Sequence, residues 1–197
     1  MAMEYAADFP GGRQNLGILY ANMGQFSNAE KQYKEAIDID SLFYPAKVNL
    51  AMVLNQQGKN DEAELVFKDL IKKHPEFTDA YYSLGLLLAE NKKYNEAVRY
   101  LKEAAVLMPE RSRVFYNLGL ILQFQEKFSE AERELKIALK LEPQNGDFMY
   151  ALADHYIKRN NLAEAKIYAR RLKDTFPGEN IGQEILDYIN QLQNQSN

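Results

Sequence analysis

"VFYNLGLILQF" at residues 114–124 restates, with changes, the phrase "AYYSLGLLLAE" at residues 80–90. Each sets two large residues before a polar one, then Leu, Gly and three apolar residues. Looser echoes stand at 13–22 ("RQNLGILYAN"), 47–56 ("KVNLAMVLNQ") and 149–158 ("MYALADHYIK"), all in register with the step that separates Gly85 from Gly119. A spacing held through five copies without an insertion is the signature of a repeat architecture. In such a chain each unit buries its apolar face only against its neighbours.

With the small residue of the phrase placed at position 8, the repeats run 10–43, 44–77, 78–111, 112–145 and 146–179, after a lead-in at 1–9. Position 7 is leucine throughout (Leu16, Leu50, Leu84, Leu118, Leu152), and position 8 is Gly17, Ala51, Gly85, Gly119 or Ala153. Position 20 is always alanine (Ala29, Ala63, Ala97, Ala131, Ala165). Position 24 reads Tyr33, Phe67, Leu101, Leu135, Ala169. Proline fills position 32 in four copies (Pro75, Pro109, Pro143, Pro177), with Ser41 in the first. Positions 4, 7, 8 and 11 share one face at the 3.6-residue period, and positions 17, 20, 24, 27 and 28 form a second stripe. Short polar turns such as "ANMGQF" and "NQQGKN" separate the two stripes. The unit is therefore two antiparallel helices, closely packed where positions 8 and 20 are small, and closed by proline.

This pattern resembles the tetratricopeptide repeat. The resemblance implies an all-α, right-handed α-solenoid of five tetratricopeptide helix pairs. Arg13 and Lys47 at position 4 are mild departures, and Ala169 at position 24 predicts a loosely packed fifth pair. After Pro177-Gly178, the apolar stripe Ile181, Ile185, Tyr188, Ile189 and Leu192 predicts a capping helix over 180–193 that covers the last repeat, followed by a frayed tail at 194–197. The abrupt start is read as the remnant of a longer protein.

The net charge of −4 supplies no basic footprint for nucleic acid. No apolar run is long enough to span a bilayer, and the first residues carry no signal-peptide pattern. Cysteine is absent, which removes disulfides, thiolate ligands, a thiolate nucleophile and haem attachment from this segment. The compartment stays open between bacterial cytoplasm and periplasm. The two histidines read as structural: His74 beside terminal carbonyls or water at a helix end, and His155 unable to form a dyad with its helix neighbour Asp154. No catalytic motif, metal set or cofactor is read in the chain, and no enzyme.

In stacked helix pairs the first helices line the concave side, and positions 2, 5, 6, 9, 12 and 13 face the groove. The expected partner-binding residues are Asn15, Ile18, Asn49, Met52, Tyr82, Leu86, Tyr116, Asn117, Leu120 and Tyr150. Asparagine amides match the N–H and C=O of a peptide bond, the tyrosines offer rigid contact area, and the aliphatics floor the groove. The alternative is that the tyrosines pack between neighbouring first helices and the asparagines tie helix to helix; the asparagines favour the binding role, and the tyrosines suit both equally. The two-carboxylate clamp of some tetratricopeptide domains is excluded. Its positions hold Gln14, Ile18, Asn49, Asp79 and Ser83 in one window, and Val48, Met52, Ser83, Arg113 and Asn117 in the next. The expected function is a non-catalytic protein-interaction scaffold that binds an extended or helical segment of a protein partner, with no nucleic acid and no membrane insertion. The succession of repeats also resembles the tetratricopeptide tails of certain bacterial multihaem cytochromes, which implies a docking or assembly module of a larger redox protein. Self-assembly through uncapped ends, giving an end-to-end homo-oligomer, is the third reading.

Overall fold

The structure is a computed structural model and describes residues 9–195; most of the lead-in and the last two residues lie outside the described residues. Every regular element within them is an α-helix. The first pair is α1 (Pro10–Asn22) and α2 (Phe26–Ile39), the second α3 (Tyr44–Gln56) and α4 (Asn60–Lys73), and the third α5 (Asp79–Glu90) and α6 (Tyr94–Leu107). The fourth pair is α7 (Ser112–Phe124) and α8 (Phe128–Leu141), and the fifth α9 (Gly146–Lys158) and α10 (Leu162–Thr175). A last helix, α11 (Ile181–Gln195), takes in Asn194 and Gln195, which the sequence reading leaves to a frayed tail. The chain forms two compact units, residues 1–104 and 105–197.

Each first helix ends the same way. Position 15 holds a positive φ in every repeat: Gly24 (73°), Gly58 (76°), Lys92 (62°), Glu126 (58°) and Asn160 (55°). The next amide then donates five residues back, as Gln25 does to Tyr20, Lys59 to Leu54, and Asn161 to Tyr156. This is the Schellman closure, in which a left-handed residue lets the turn satisfy the helix's last carbonyls. Glycine meets that demand without cost, whereas Lys92 and Glu126 hold a conformation that a Cβ disfavours.

The close approach within a pair involves position 24 as well as the small residues at positions 8 and 20; a Cβ on Gly119 would also meet the backbone oxygen of Ala131 at 3.3 Å. A Cβ on Gly119 would lie 2.7 Å from the Leu135 side chain, one on Gly85 2.7 Å from Leu101, and one on Gly17 2.5 Å from Tyr33. In these three pairs a glycine at position 8 makes room for the long side chain at position 24, whereas the second pair sets Ala51 against the buried Phe67. In the fifth pair Ala153 and Ala169 replace that combination, and the expected looseness is not found at this point. Ala169 is fully buried in one core with Leu152, Leu172 and Ile189 of α11, and the rings of Tyr156 and Tyr168 stack at 5.7 Å.

Polar ties join successive pairs inside each unit. Glu30 of α2 accepts from Gln57 Nε2 and Lys59 Nζ of the next pair, both at 2.9 Å. Glu64 accepts from Lys93 Nζ at 2.7 Å in the same way. In the second unit Glu132 accepts from the Tyr156 hydroxyl at 2.8 Å and from Arg159 at 3.1 Å. These acids share position 21, which is Val98 in the third repeat and Lys166 in the fifth.

The C-terminal helix packs on α10 through Gly182 and Ile189, the two buried residues of its length. A Cβ on Gly182 would stand 2.5 Å from the backbone nitrogen of Lys173, so only glycine permits that contact. Two residues of the expected covering stripe cover the last pair only in part: Ile181 is 37% exposed and Tyr188 50% exposed.

Candidate functional site

From α3 onward the first helices bury positions 7, 8 and 11, and most groove positions stay at the surface of each unit, with Gln123 and Ala151 buried. In the first unit Met52 of α3 is 56% exposed and Leu86 of α5 is half-buried. They meet in a cleft of about 90 Å³ with Asn55, Ser83 and Glu90 along its side. Asn55 Nδ2 donates to Glu90 Oε2 at 2.7 Å, and Asn91 Nδ2 donates to Asn55 Oδ1 at 3.1 Å. Amides therefore do join neighbouring first helices here, but from position 12 rather than from the expected position 6. Asn15 is exposed, Ile18 is at the surface, and Asn49 and Tyr82 are half-buried, and this cleft gathers none of the four.

In the second unit Tyr116 and Tyr150 line one cleft of about 480 Å³ with Asp147, Phe176, Glu179 and Ile181. The two tyrosines differ. The Tyr116 ring lies 4.9 Å from Phe148 of the next first helix, and burial pushes its hydroxyl above the usual tyrosine value. Arg113 sits over both rings, at 5.7 Å from Tyr116 and 5.3 Å from Phe148, and pairs with Asp147 at 3.1 Å. Tyr150, 45% exposed, projects between this cleft and a second one of about 420 Å³. That second cleft runs between α9 and α11, with Asp154, Ile157, Ile181, Glu184 and Tyr188 among its walls. Leu120 lines a third hollow with Phe124, Asp154 and Lys158, and Asn117 is half-buried outside all three.

The contribution of α11 was missed in the sequence, although the signal was present. Ile181, Glu184 and Tyr188 stand one full repeat after Asp147, Tyr150 and Asp154, so α11 carries groove positions 2, 5 and 9 of a further first helix. Its apolar stripe reads as cover for the last pair because such a stripe does not say which of its edges stays wet.

The histidines are held by side chains. His74 Nδ1 lies 2.7 Å from the Tyr44 hydroxyl and 3.3 Å from Glu76, which replaces the expected carbonyl or water partners. His155 is fully buried, its Nδ1 3.0 Å from Gln123 Oε1, with Phe128 and Tyr156 against its ring. Burial pushes its pKa below the ordinary histidine value. Among the described residues no His, Cys, Asp or Glu cluster could hold a metal ion, and no helix is long and apolar enough to cross a membrane.

Helix pairs of constant length with small residues at positions 8 and 20 define a helical repeat protein. The tetratricopeptide repeat family model matches residues 15–71, 48–112 and 116–180, and the chain belongs to that family. Its fold class is the all-α tetratricopeptide solenoid. Among solved structures it is similar to MamA from Desulfovibrio magneticus RS-1, with a TM-score of 0.73, 19% identity, and coverage of 86% of this chain and 96% of that one. It is also similar to PilF of Pseudomonas aeruginosa, with a TM-score of 0.71, 24% identity, and coverage of 98% and 94%. YrrB, a TPR protein with an unusual peptide-binding site, aligns with a TM-score of 0.68 at 20% identity, covering 94% of this chain and 96% of that one. No curated protein matches the chain.

Proposed function

We propose that this protein is a non-catalytic interaction scaffold that holds a segment of a partner protein against the first helices of its repeats. The observation that carries this reading is the pairing of Met52 and Leu86. They occupy the same position in successive repeats and line one cleft beside the polar edge formed by Asn55, Ser83 and Glu90. An apolar floor with a polar edge suits an extended chain, whose side chains alternate between burial and solvent while its backbone needs donors and acceptors. Exposed apolar residues on second helices, such as Leu65 and Ile167, stand singly and ask for no partner. The likeness to YrrB, which has a peptide-binding site, supports a peptide as the occupant.

The test is site-specific crosslinking. A photoreactive residue is placed at Met52, Leu86 or Tyr150, and for comparison at Lys72, Lys102 or Arg170 on second helices. Extract of the organism that encodes the protein should give one shared adduct from the first set only. Adducts from second-helix sites alone would overturn the groove as the binding face.

A further inference from the structure

The two clefts that meet at Tyr150 have a composition that selects for charge. This inference rests on the scaffold reading above and names the chemistry of the segment bound at this end. The walls between α9 and α11 combine aliphatic surface (Ile157, Ile181, Ile185) with two exposed phenol rings, Tyr150 and Tyr188. Four carboxylates edge the clefts: Asp147, Asp154, Glu179 and Glu184. Two of these already hold a cation, since Arg113 pairs with Asp147 at 3.1 Å and Lys158 with Asp154 at 2.7 Å. Glu179 and Glu184 face no such partner among the described residues. Two further lysines of α10 turn to amides of α11: Lys166 Nζ donates to Gln193 Oε1 at 2.6 Å and Lys173 Nζ to Gln183 Oε1 at 2.7 Å.

We propose that this end of the groove binds a basic-aliphatic segment of a partner protein. Lysine or arginine side chains of that segment meet Glu179 at the one cleft and Glu184 at the other, where the Tyr150 and Tyr188 rings flank the cation, and an adjacent aliphatic side chain seats on Ile157, Ile181 and Ile185. The unbalanced carboxylates attract a cation, and ring faces add cation–π attraction while accommodating the side chain's methylene stem. The cavity volumes, about 480 and 420 Å³, fall within the range of roughly 300–1,000 Å³ usual for sites that bury a small ligand or a few side chains. An acidic segment would meet like charge at both free carboxylates, which opposes its binding.

The experiment selects a phage-displayed library of random peptides on the immobilised full chain. A selected peptide is then titrated into isotope-labelled protein by NMR. Enriched sequences should carry Lys or Arg next to Leu, Ile or Val, and the shifted amides should cluster around Tyr150, Ile157, Glu184 and Tyr188. The double variant Glu179→Gln/Glu184→Gln should melt as the parent does and bind that peptide roughly tenfold more weakly, as expected for loss of charge-assisted contacts. Glu62→Gln/Glu103→Gln, which removes the same charge from exposed sites on α4 and α6, should leave binding unchanged. Enrichment of uncharged or acidic sequences, equal loss in the control variant, or no enrichment at all would overturn the proposal. Self-association of the chain through this cleft would do the same. Uncharged peptides bound in the cleft would leave the scaffold reading standing while removing the charge selection. The crosslinking experiment judges that scaffold reading separately.

Discussion

Nδ1 of His155 lies 3.0 Å from Oε1 of Gln123, a residue of the preceding first helix, and the same amide donates through Nε2 to Asp154 at 2.7 Å. One side chain at position 12 thus holds two consecutive residues of the next repeat. Gln123 is buried, as is His155, so the bond between them is shielded from water. Replacing Gln123 by alanine leaves the imidazole without its partner and should destabilise the protein by about 1–3 kcal/mol. Chemical denaturation reads this directly, and Asn49→Ala, at a half-buried position, should cost clearly less.

The same histidine predicts a pH dependence near neutrality. Burial lowers its pKa, with the Glu132 carboxylate 3.9 Å from Nε2 opposing that shift. The unfolded chain then binds a proton that the folded chain refuses. Stability from this group is complete above the ordinary value of 6.5 and declines as pH falls below it. The melting temperature should rise between about pH 5.5 and 7.5, and His155→Gln should flatten that rise.

At lower pH a second window opens. Lysine and amide hydrogen bonds, led by those from Lys34 and Lys59, hold the Glu30 carboxylate at about 2 against an unperturbed 4.5. Its contribution is present above the unfolded value and is lost as pH falls through that interval. Glu30→Gln should therefore weaken the protein at pH 6 and have little effect near pH 2, measured by thermal melts across the range.

Position 8 and position 24 should behave as a coupled pair. Gly119→Ala pushes a Cβ to 2.7 Å from Leu135 and should cost about 1–3 kcal/mol through overpacking, offset in part by about 1 kcal/mol of helix propensity. With Leu135→Ala the clash is gone and the pair copies Ala153–Ala169, so the same alanine should now stabilise. A double-mutant cycle by denaturant unfolding checks the reversal of sign.

Gly182 fixes the C-terminal helix. A methyl group there meets Lys173 backbone rather than a movable side chain, so Gly182→Ala should lift α11 off α10. Hydrogen exchange should quicken along α11 while α1–α4 keep their protection, because contacts in repeat proteins are with neighbours only. Tyr188 and Glu184 move with that helix, so peptide binding at this end should fall as well.

Helix pairs and their frame are legible in the residues alone. An unbroken repeat period, leucine at position 7 and alanine at position 20 specify which face of each helix is buried, since helical geometry leaves no other face for them. The same frame leaves the groove positions Met52 and Tyr150 exposed, but it does not foretell that Gln123 and Ala151 are buried. Tertiary structure alone decided which of those positions meet. Whether Asn55 reaches Glu90, or Gln123 reaches His155, depends on the offset between successive pairs, a distance that no single repeat encodes. The need for glycine at residue 119 comes from Leu135, which lies over it across the pair. The role of α11 was ambiguous for a related reason. Its stripe is wider than the contact made by Gly182 and Ile189, and only docking on α10 shows that Ile181 and Tyr188 remain facing solvent.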